Sequence, residues 1–350
     1  MSDFAPQRIE TARLTQNVWS SGPEDGTPVL LVHGNLSSGG FWKYTAAEFG
    51  DDVHVIAPDL RGYGDTDAEP IDATRGLGDM ADDLHALLEA LGLANQHKVN
   101  AAGWSMGAGV LQQMMLMHPD DLASVTLIAP LSPYGFGGTK GATGEHATPD
   151  AAACGAAGAN AAFVQRLAAK DASDDDPQTS PRVVMRTFYG GGENAANLDE
   201  DFLTDELLKT RTGDDFYPGT AVPSETWPGL ATGDRGVLNT MSPKYYDASG
   251  IVDLPRKPAI TWIHGSEDKV VADGSLFDLA TLGQMGAVPG WPGEDVLPPQ
   301  PMVQQTRAVL DAYRANGGQA TEVALEGVDH GIPLAVPGRV AEEITAILVR

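Results

Sequence analysis

The feature that most constrains the fold is a five-residue segment, Gly-Trp-Ser-Met-Gly at residues 103–107, which has the pattern Gly-x-Ser-x-Gly. An apolar run at residues 99–102 precedes it and a helical pattern at residues 108–118 follows it. A sharp turn from a buried strand into a helix folds the backbone back on itself, so the first and last of the five residues must be small. The turn would hold the side chain of Ser105 clear of the sheet. This geometry, the nucleophile elbow, is typical of a serine that attacks a carbonyl group.

Apolar strands alternate with helical patterns on both sides of this turn. Continuous apolar runs at residues 29–32, 53–57 and 124–129 are typical of strands that are buried on both faces of a parallel sheet. The alternation resumes at residues 259–263, after a long interruption. The sequence therefore predicts an α/β fold with a doubly wound, mostly parallel sheet.

The interruption, residues 131–255, differs in composition from the rest of the chain. It is rich in Gly, Ala, Asp and turn-forming residues and contains no run that is typical of a buried strand. We therefore predict that residues 1–130 and 256–350 form the core of the fold. Residues 131–255 are predicted to form an inserted cap or lid.

The charge balance limits the kinds of partner that the chain could bind. The chain has 48 acidic and 22 basic residues, a formal net charge of −26 at pH 7. Nucleic acids are bound mainly through Lys and Arg, so neither a nucleic acid nor an anionic membrane is an expected partner. No apolar run approaches the length of a membrane span, and residues 1–10 lack the pattern of a signal peptide. The single cysteine, Cys154, cannot form a disulfide within the chain, so nothing indicates an oxidising compartment and the sequence predicts a cytoplasmic protein. The sequence leaves the oligomeric state open.

Taken together, several motifs resemble the α/β-hydrolase fold. His-Gly-Asn at residues 33–35 follows one predicted strand and Asp-Leu-Arg-Gly-Tyr-Gly at residues 59–64 follows the next. The Gly-x-Ser-x-Gly turn, a late aspartate after a strand and a final histidine complete the resemblance, which covers about residues 28–130 and 256–350. The resemblance implies a hydrolase that uses a serine, an acid and a histidine, in that order along the chain.

The resemblance also implies which residues form this catalytic triad. Ser105 would be the nucleophile and His330 its base, because His330 is the one histidine of eight in a loop after the last predicted strand. Asp268 would hold the histidine ring in the correct tautomer, since it follows a strand-ending glycine by three residues. Glu267 and Asp273 are the alternatives for the acid.

Two backbone N–H groups are expected to form an oxyanion hole: that of Met106 and, by resemblance, that of Asn35, with Leu36 as the alternative to Asn35. Leu36, Trp104 and Tyr134 are candidate substrate contacts, although packing in the core is the alternative for Trp104. The sequence contains no His-x-x-Glu-His motif, no Cys/His cluster and no dinucleotide-binding Gly-x-Gly-x-x-Gly after the first strand. No metal and no cofactor is therefore predicted.

We expect a small-molecule substrate and, by default, hydrolysis of a carboxylic ester or lactone through an acyl-enzyme. Aminopeptidase-like amide cleavage, carbon–carbon bond hydrolysis and peracid formation of the cofactor-free haloperoxidase type are the alternatives, and a non-catalytic binder is the alternative outside enzymes. Residues 131–255 contain eleven aromatic residues, which favour an uncharged, hydrophobic substrate. The same segment contains acidic residues that could bind the ammonium group of an aminopeptidase substrate, but charge runs usually lie on a solvated face. These acids are Glu193, Asp199, Glu200, Asp201, Asp205, Glu206, Asp214 and Asp215.

Overall fold

The computed structural model describes residues 4–349, and an eight-stranded sheet lies at its centre. The strands, in chain order, are β1 (Ala5–Glu10), β2 (Thr15–Ser21), β3 (Thr27–Val32), β4 (Val53–Pro58), β5 (Val99–Trp104), β6 (Leu122–Ile128), β7 (Thr139–Lys140), β8 (Glu145–His146), β9 (Thr212–Gly213), β10 (Tyr217–Pro218), β11 (Ala221–Pro223), β12 (Leu230–Thr232), β13 (Ala259–Gly265) and β14 (Ala320–Leu325). The α-helices are α1 (Lys43–Ala46), α2 (Gly78–Ala90), α3 (Met106–Met117), α4 (Ala161–Ala168), α5 (Pro181–Tyr189), α6 (Glu200–Leu207), α7 (Val237–Thr240), α8 (Leu279–Gln284), α9 (Met302–Ala315), α10 (Ile332–Ala335) and α11 (Pro337–Ala346).

The central sheet has the strand order β1-β2-β4-β3-β5-β6-β13-β14. Strand β2 runs antiparallel to both of its neighbours, and the strands from β4 to β14 in this order are parallel. The middle strands β5 and β6 are buried along their whole length, as their continuous apolar sequences predict. The predicted doubly wound, mostly parallel sheet is therefore confirmed.

The helices pack on this sheet through the faces that their sequences predict. On α2, the side chains of Met80, Leu84, Leu87 and Leu88 are buried and recur at helical spacing. Helix α3, which follows the Gly-x-Ser-x-Gly turn, is buried along most of its length and packs against both α2 and β5. This burial fixes α3 at the centre of the sheet, so its first turn lies at the carboxyl end of β5.

Residues 131–255, called the inserted segment below, lie between β6 and β13, which are neighbours in the sheet. The chain therefore leaves the sheet, builds helices α4 to α7 and three pairs of short strands, and returns beside the strand that it left. The segment shares the main hydrophobic core, to which it contributes Phe163, Met185, Leu203 and Tyr246. That shared core packs the inserted segment directly onto the sheet's helices and loops.

Between residues 4 and 349, no helix combines the length with the apolar character that crossing a membrane would require.

Candidate active site

Ser105 lies at the apex of the turn between β5 and α3. Its backbone angles, φ 57° and ψ −118°, are a conformation that residues with a side chain rarely adopt. A Cβ atom at Gly103 would lie 2.5 Å from the carbonyl oxygen of Gly107, and one at Gly107 would lie 2.2 Å from that of Val32. Both glycines are thus required by close backbone approach, which is the reason that the motif predicts.

His330 and Asp268 form a buried pair beside this turn. Asp268 follows β13 and His330 follows β14, and because these strands are parallel neighbours, both loops emerge at the same edge of the sheet. Asp268 Oδ2 lies 2.8 Å from His330 Nδ1, and the two side chains are only 2% and 1% exposed. The other carboxylate oxygen accepts the backbone N–H groups of Val270 and Val271 at 2.8 and 2.9 Å. These two bonds fix the orientation of the carboxylate.

An ionised Asp268 can only accept hydrogen bonds, so the imidazole proton of a neutral His330 must lie on Nδ1. The lone pair of Nε2 is then free to accept a proton. In the part of the chain that the structure describes, this buried Nε2 has no hydrogen-bond partner. A buried nitrogen without a partner is costly in a structural histidine, and it is the arrangement that a general base needs.

The two proposed oxyanion donors are the backbone N–H groups of Asn35 and Met106. Among residues 4–349, neither the N–H of Asn35 nor that of Met106 donates to another protein group. Met106 is the first residue of α3, where the helix dipole places partial positive charge. Leu36, the residue after Asn35, has a left-handed backbone with φ 54°.

His33 braces the base of this loop and does not act as a proton carrier. Its Nε2 accepts the N–H of Leu60 at 2.9 Å, while its Nδ1 lies 2.8 Å from the carbonyl oxygen of Gly34. Complete burial lowers the pKa of His33 to about 4, so the ring is neutral at physiological pH. The ring packs edge-on against Tyr63, whose hydroxyl donates to Asn35 Oδ1 at 2.6 Å.

Tyr189, from the end of α5 in the inserted segment, also lies at this site. Its ring centroid is 5.0 Å from that of Trp104 and 5.6 Å from that of His330. Its hydroxyl donates to the backbone carbonyl of Asn35 at 3.2 Å. The sequence marks Tyr189 only as one of eleven aromatic residues in the segment, and no local pattern distinguishes it from the others.

The three candidate substrate contacts have different surroundings. Leu36 and Trp104 are buried, and the indole N–H of Trp104 donates to the backbone carbonyl of His330 at 2.8 Å. The ring of Tyr134 packs over Gly144. The hydrogen bond from Trp104 thus holds the backbone of His330. A substrate contact at any of the three residues stays a prediction.

Most acids of the inserted segment are occupied by cations or by helix termini. Glu200 pairs with Arg182 and Arg186, and Asp201 also pairs with Arg182. At other points, Asp214 and Asp215 pair with Arg235, Glu206 pairs with Lys209, and Asp199 caps the first turn of α6. The side chain of Glu193 lies outside the described residues. These pairings leave few carboxylates available to bind a substrate ammonium group.

Three residues outside the triad have the composition of a metal site. They are His85, His118 and Asp121, and their potential ligand atoms lie within 4.8 Å of one another. The two imidazole rings stack at 4.0 Å with an angle of 5° between their planes. His85 Nδ1 is hydrogen-bonded to Asp121 and His118 Nε2 to Asp82. An ion binds a histidine in the plane of its ring, and one ion cannot lie in two stacked planes, so in this arrangement the histidines are carboxylate-bound structural groups.

Comparison with known proteins places the chain in a family. Residues 27–291 match the model of the alpha/beta hydrolase fold family. The chain therefore belongs to the α/β hydrolase fold family, as its motifs predict. Over 126 residues it is 34% identical to the dihydrolipoyllysine-residue acetyltransferase component of the acetoin cleaving system of Pseudomonas putida, a match that covers 36% of this chain and 32% of that protein. The chain thus spans about a third of the length of this curated relative.

Solved structures share the fold over almost the whole chain. An esterase from Rhodococcus superposes with a TM-score of 0.57 and 18% identity, covering 98% of both chains. A bromoperoxidase from Bacillus anthracis superposes with a TM-score of 0.59 and 18% identity, covering 98% of this chain and 99% of its own. At this level of identity the similarity establishes the fold alone.

Proposed function

We propose that the protein is a serine hydrolase that cleaves uncharged carboxylic esters or lactones through an acyl-enzyme. The observation that carries this proposal is the buried His330–Asp268 pair beside a serine at the apex of a strained strand–helix turn. Within residues 4–349, Nε2 of this histidine has no hydrogen-bond partner. A serine hydroxyl at neutral pH is a weak nucleophile and needs such a base.

In the proposed mechanism, Ser105 Oγ attacks the substrate carbonyl and passes its proton to His330 Nε2. Negative charge develops on the carbonyl oxygen, where the N–H groups of Asn35 and Met106 would stabilise it. His330 then gives the proton to the leaving alkoxide, and the acyl group stays on Ser105. Water, deprotonated by the same nitrogen, attacks the acyl carbonyl. The bond to Ser105 Oγ then breaks, His330 returns the proton to Oγ, and the acid is released. Asp268 stabilises the imidazolium at both stages and stays ionised.

The surroundings of the site favour an uncharged substrate. Two aromatic rings, those of Trp104 and Tyr189, pack beside His330, with ring centroids 5.8 and 5.6 Å from that of the imidazole. The acids that could have bound an ammonium group are largely paired with arginine or lysine, as described above. The proposed cap role of residues 131–255 fits the contact of Tyr189 with this site.

Two measurements test the proposal. A fluorophosphonate probe should label the wild-type protein, with the adduct mapped to Ser105 by mass spectrometry, and should not label Ser105→Ala. A panel of neutral esters, lactones, carbamates and aminoacyl anilides is then run on one preparation, with Ser105→Ala as the blank. We expect neutral esters or lactones to be cleaved fastest. A folded, unlabelled wild type supports a non-catalytic binder, and faster cleavage of the anilides supports an aminopeptidase.

A further inference from the structure

Residues 34–38 carry the proposed oxyanion donor and are called the oxyanion loop below. Hydrogen bonds within the loop fix only part of its backbone. Its start is fixed locally, because Ser37 Oγ and His33 Nδ1 both lie 2.8 Å from the carbonyl oxygen of Gly34. Leu36 has a left-handed backbone with φ 54°, a conformation that is strained for a residue with a side chain. The part from Asn35 onward therefore needs contacts from elsewhere in the chain.

Tyr189 of the inserted segment supplies one such contact. Its hydroxyl donates to the carbonyl oxygen of Asn35 at 3.2 Å, while Tyr63 donates to the side chain of the same residue at 2.6 Å. The carbonyl and the side chain of Asn35 are thus both held by tyrosines. The carbonyl of Asn35 lies in the same planar peptide unit as the N–H of Leu36, the alternative oxyanion donor, so the bond from Tyr189 orients that N–H. The N–H of Asn35 lies in the peptide unit of Gly34, whose carbonyl oxygen is held within the loop as described above.

Glu206, on α6 of the inserted segment, supplies a second contact at the other end of the oxyanion loop. Its Oε2 accepts the hydroxyl of Ser38 at 2.5 Å, and its Oε1 accepts the ammonium of Lys209 at 2.7 Å. Glu206 is only 3% exposed, and its two hydrogen bonds compensate for the burial of its charge. Ser38 Oγ in turn accepts the N–H of Gly40, in the first turn of the short 3-10 helix Gly39–Trp42 that follows the loop.

We propose that the inserted segment completes the oxyanion hole. Tyr189 and Glu206 act as positioning residues, which hold the carbonyl of Asn35 and the hydroxyl of Ser38 in the oxyanion loop. This inference rests on the proposed function of Ser105. It adds that docking of the segment, and not only access to the site, governs catalysis. The effect acts through Asn35 and concerns the transition state, because the oxyanion exists there and not in the bound substrate.

The test uses Tyr189→Phe, which removes the hydroxyl and keeps the ring on Trp104 and His330. The matched control is Tyr44→Phe. Tyr44 lies on α1 of the core, and its hydroxyl accepts the backbone N–H of Asp199 in the inserted segment at 2.7 Å. Both changes remove one tyrosine hydrogen bond between segment and core, but only the first touches Asn35. We measure kcat and KM on the best neutral ester, Tm, and the Ki of a trifluoromethyl ketone, whose adduct with a serine carries an oxyanion.

We expect Tyr189→Phe to lower kcat about tenfold, less than the 10²–10³-fold typical for deleting an oxyanion donor, and to raise Ki by a similar factor. KM stays within about twofold, and Tyr44→Phe leaves kcat and Ki within the same limit. Glu206→Gln, whose amide cannot accept from both Ser38 and Lys209, lowers kcat by about threefold in an independent measurement.

The outcomes separate this inference from the proposed function. If Ser105→Ala is inactive but Tyr189→Phe and Glu206→Gln both match Tyr44→Phe in kcat and Ki, the positioning role is wrong and the proposed function stands. A rise in KM with unchanged kcat in Tyr189→Phe also overturns the positioning role, because it marks a substrate contact. Full activity in Ser105→Ala overturns the proposed function and this inference together.

Discussion

Asp268→Asn is the substitution whose effect can be worked out most fully from the structure. The asparagine amide has one oxygen, which accepts, and one nitrogen, which only donates. If the nitrogen faces the N–H groups of Val270 and Val271, two buried hydrogen bonds are lost. Each buried donor left unpaired costs about 1–3 kcal/mol, so this placement is disfavoured by about 2 kcal/mol or more. The amide nitrogen therefore faces His330.

Facing an NH₂ group, His330 Nδ1 must accept a hydrogen bond, so the imidazole proton moves to Nε2. That nitrogen can then no longer take the proton of Ser105. The variant also loses the charged hydrogen bond that stabilises the imidazolium, about 1.5 kcal/mol at the lower limit. To act as a base, His330 must have its proton on Nδ1, which requires the disfavoured amide placement and its cost of about 2 kcal/mol. Added to the lost hydrogen bond, this raises the barrier by about 3.5 kcal/mol, a loss in kcat of roughly a few hundredfold or more.

The assay compares initial rates on the best neutral ester for Asp268→Asn, Asp329→Asn and Glu267→Gln. Each variant removes one negative charge near His330. Asp329 accepts the N–H of Gly331 through Oδ1, a bond that an amide oxygen can keep, and Glu267 is exposed. We expect both control variants to stay within about threefold of the wild type, on the scale of a single exposed charge. A rate within tenfold of the wild type for Asp268→Asn, or a larger loss for Glu267→Gln, would refute the reasoning.

Three further predictions concern the stability of the fold. Gly107→Ala puts a Cβ 2.2 Å from the carbonyl oxygen of Val32, so we expect chemical denaturation to give a loss of about 3 kcal/mol or more, whereas Gly274→Ala, which has open space around it, should change little. Burial lowers the pKa of His33 to about 4, so the unfolded chain binds a proton there between about pH 6.5 and 4 and the folded chain does not. The contribution of His33 to the free energy of unfolding is therefore complete above about pH 6.5 and falls by up to about 1.4 kcal/mol per pH unit towards pH 4. NMR of the His33 imidazole should find the ring neutral at pH 5. A ring that is half-protonated at pH 6 or above would contradict this prediction. Finally, the net charge of −26 predicts a Tm that rises between 0.1 and 1 M NaCl, as the Debye length falls from about 10 to about 3 Å, and a constant Tm counts against it.

The sequence by itself determined the features that depend on neighbouring residues. The Gly-x-Ser-x-Gly turn is one, because the close approach that requires Gly103 is to Gly107 and Ala108 of the same turn. The buried strands are another, since a continuous apolar run identifies a strand covered on both faces whatever lies above it. The chain order of Ser105, Asp268 and His330 identified the loops from which a triad could be built. A direct hydrogen bond joins Asp268 and His330, and the triad stays a prediction.

Contacts between distant segments were decided by the tertiary structure alone. Tyr189 lies 154 residues from Asn35, and Glu206 lies 168 residues from Ser38. Among the eleven aromatic residues and the eight candidate acids of the inserted segment, no local pattern distinguishes these two, because helical periodicity indicates which face is buried but not what covers it. The same limit applies to the charges of the segment. The sequence presents a run of acids, and the fold brings arginines and a lysine from different positions to pair with most of them. A hydrogen bond of about 3 Å between segments depends on how helices pack, and packing is a property of the whole chain.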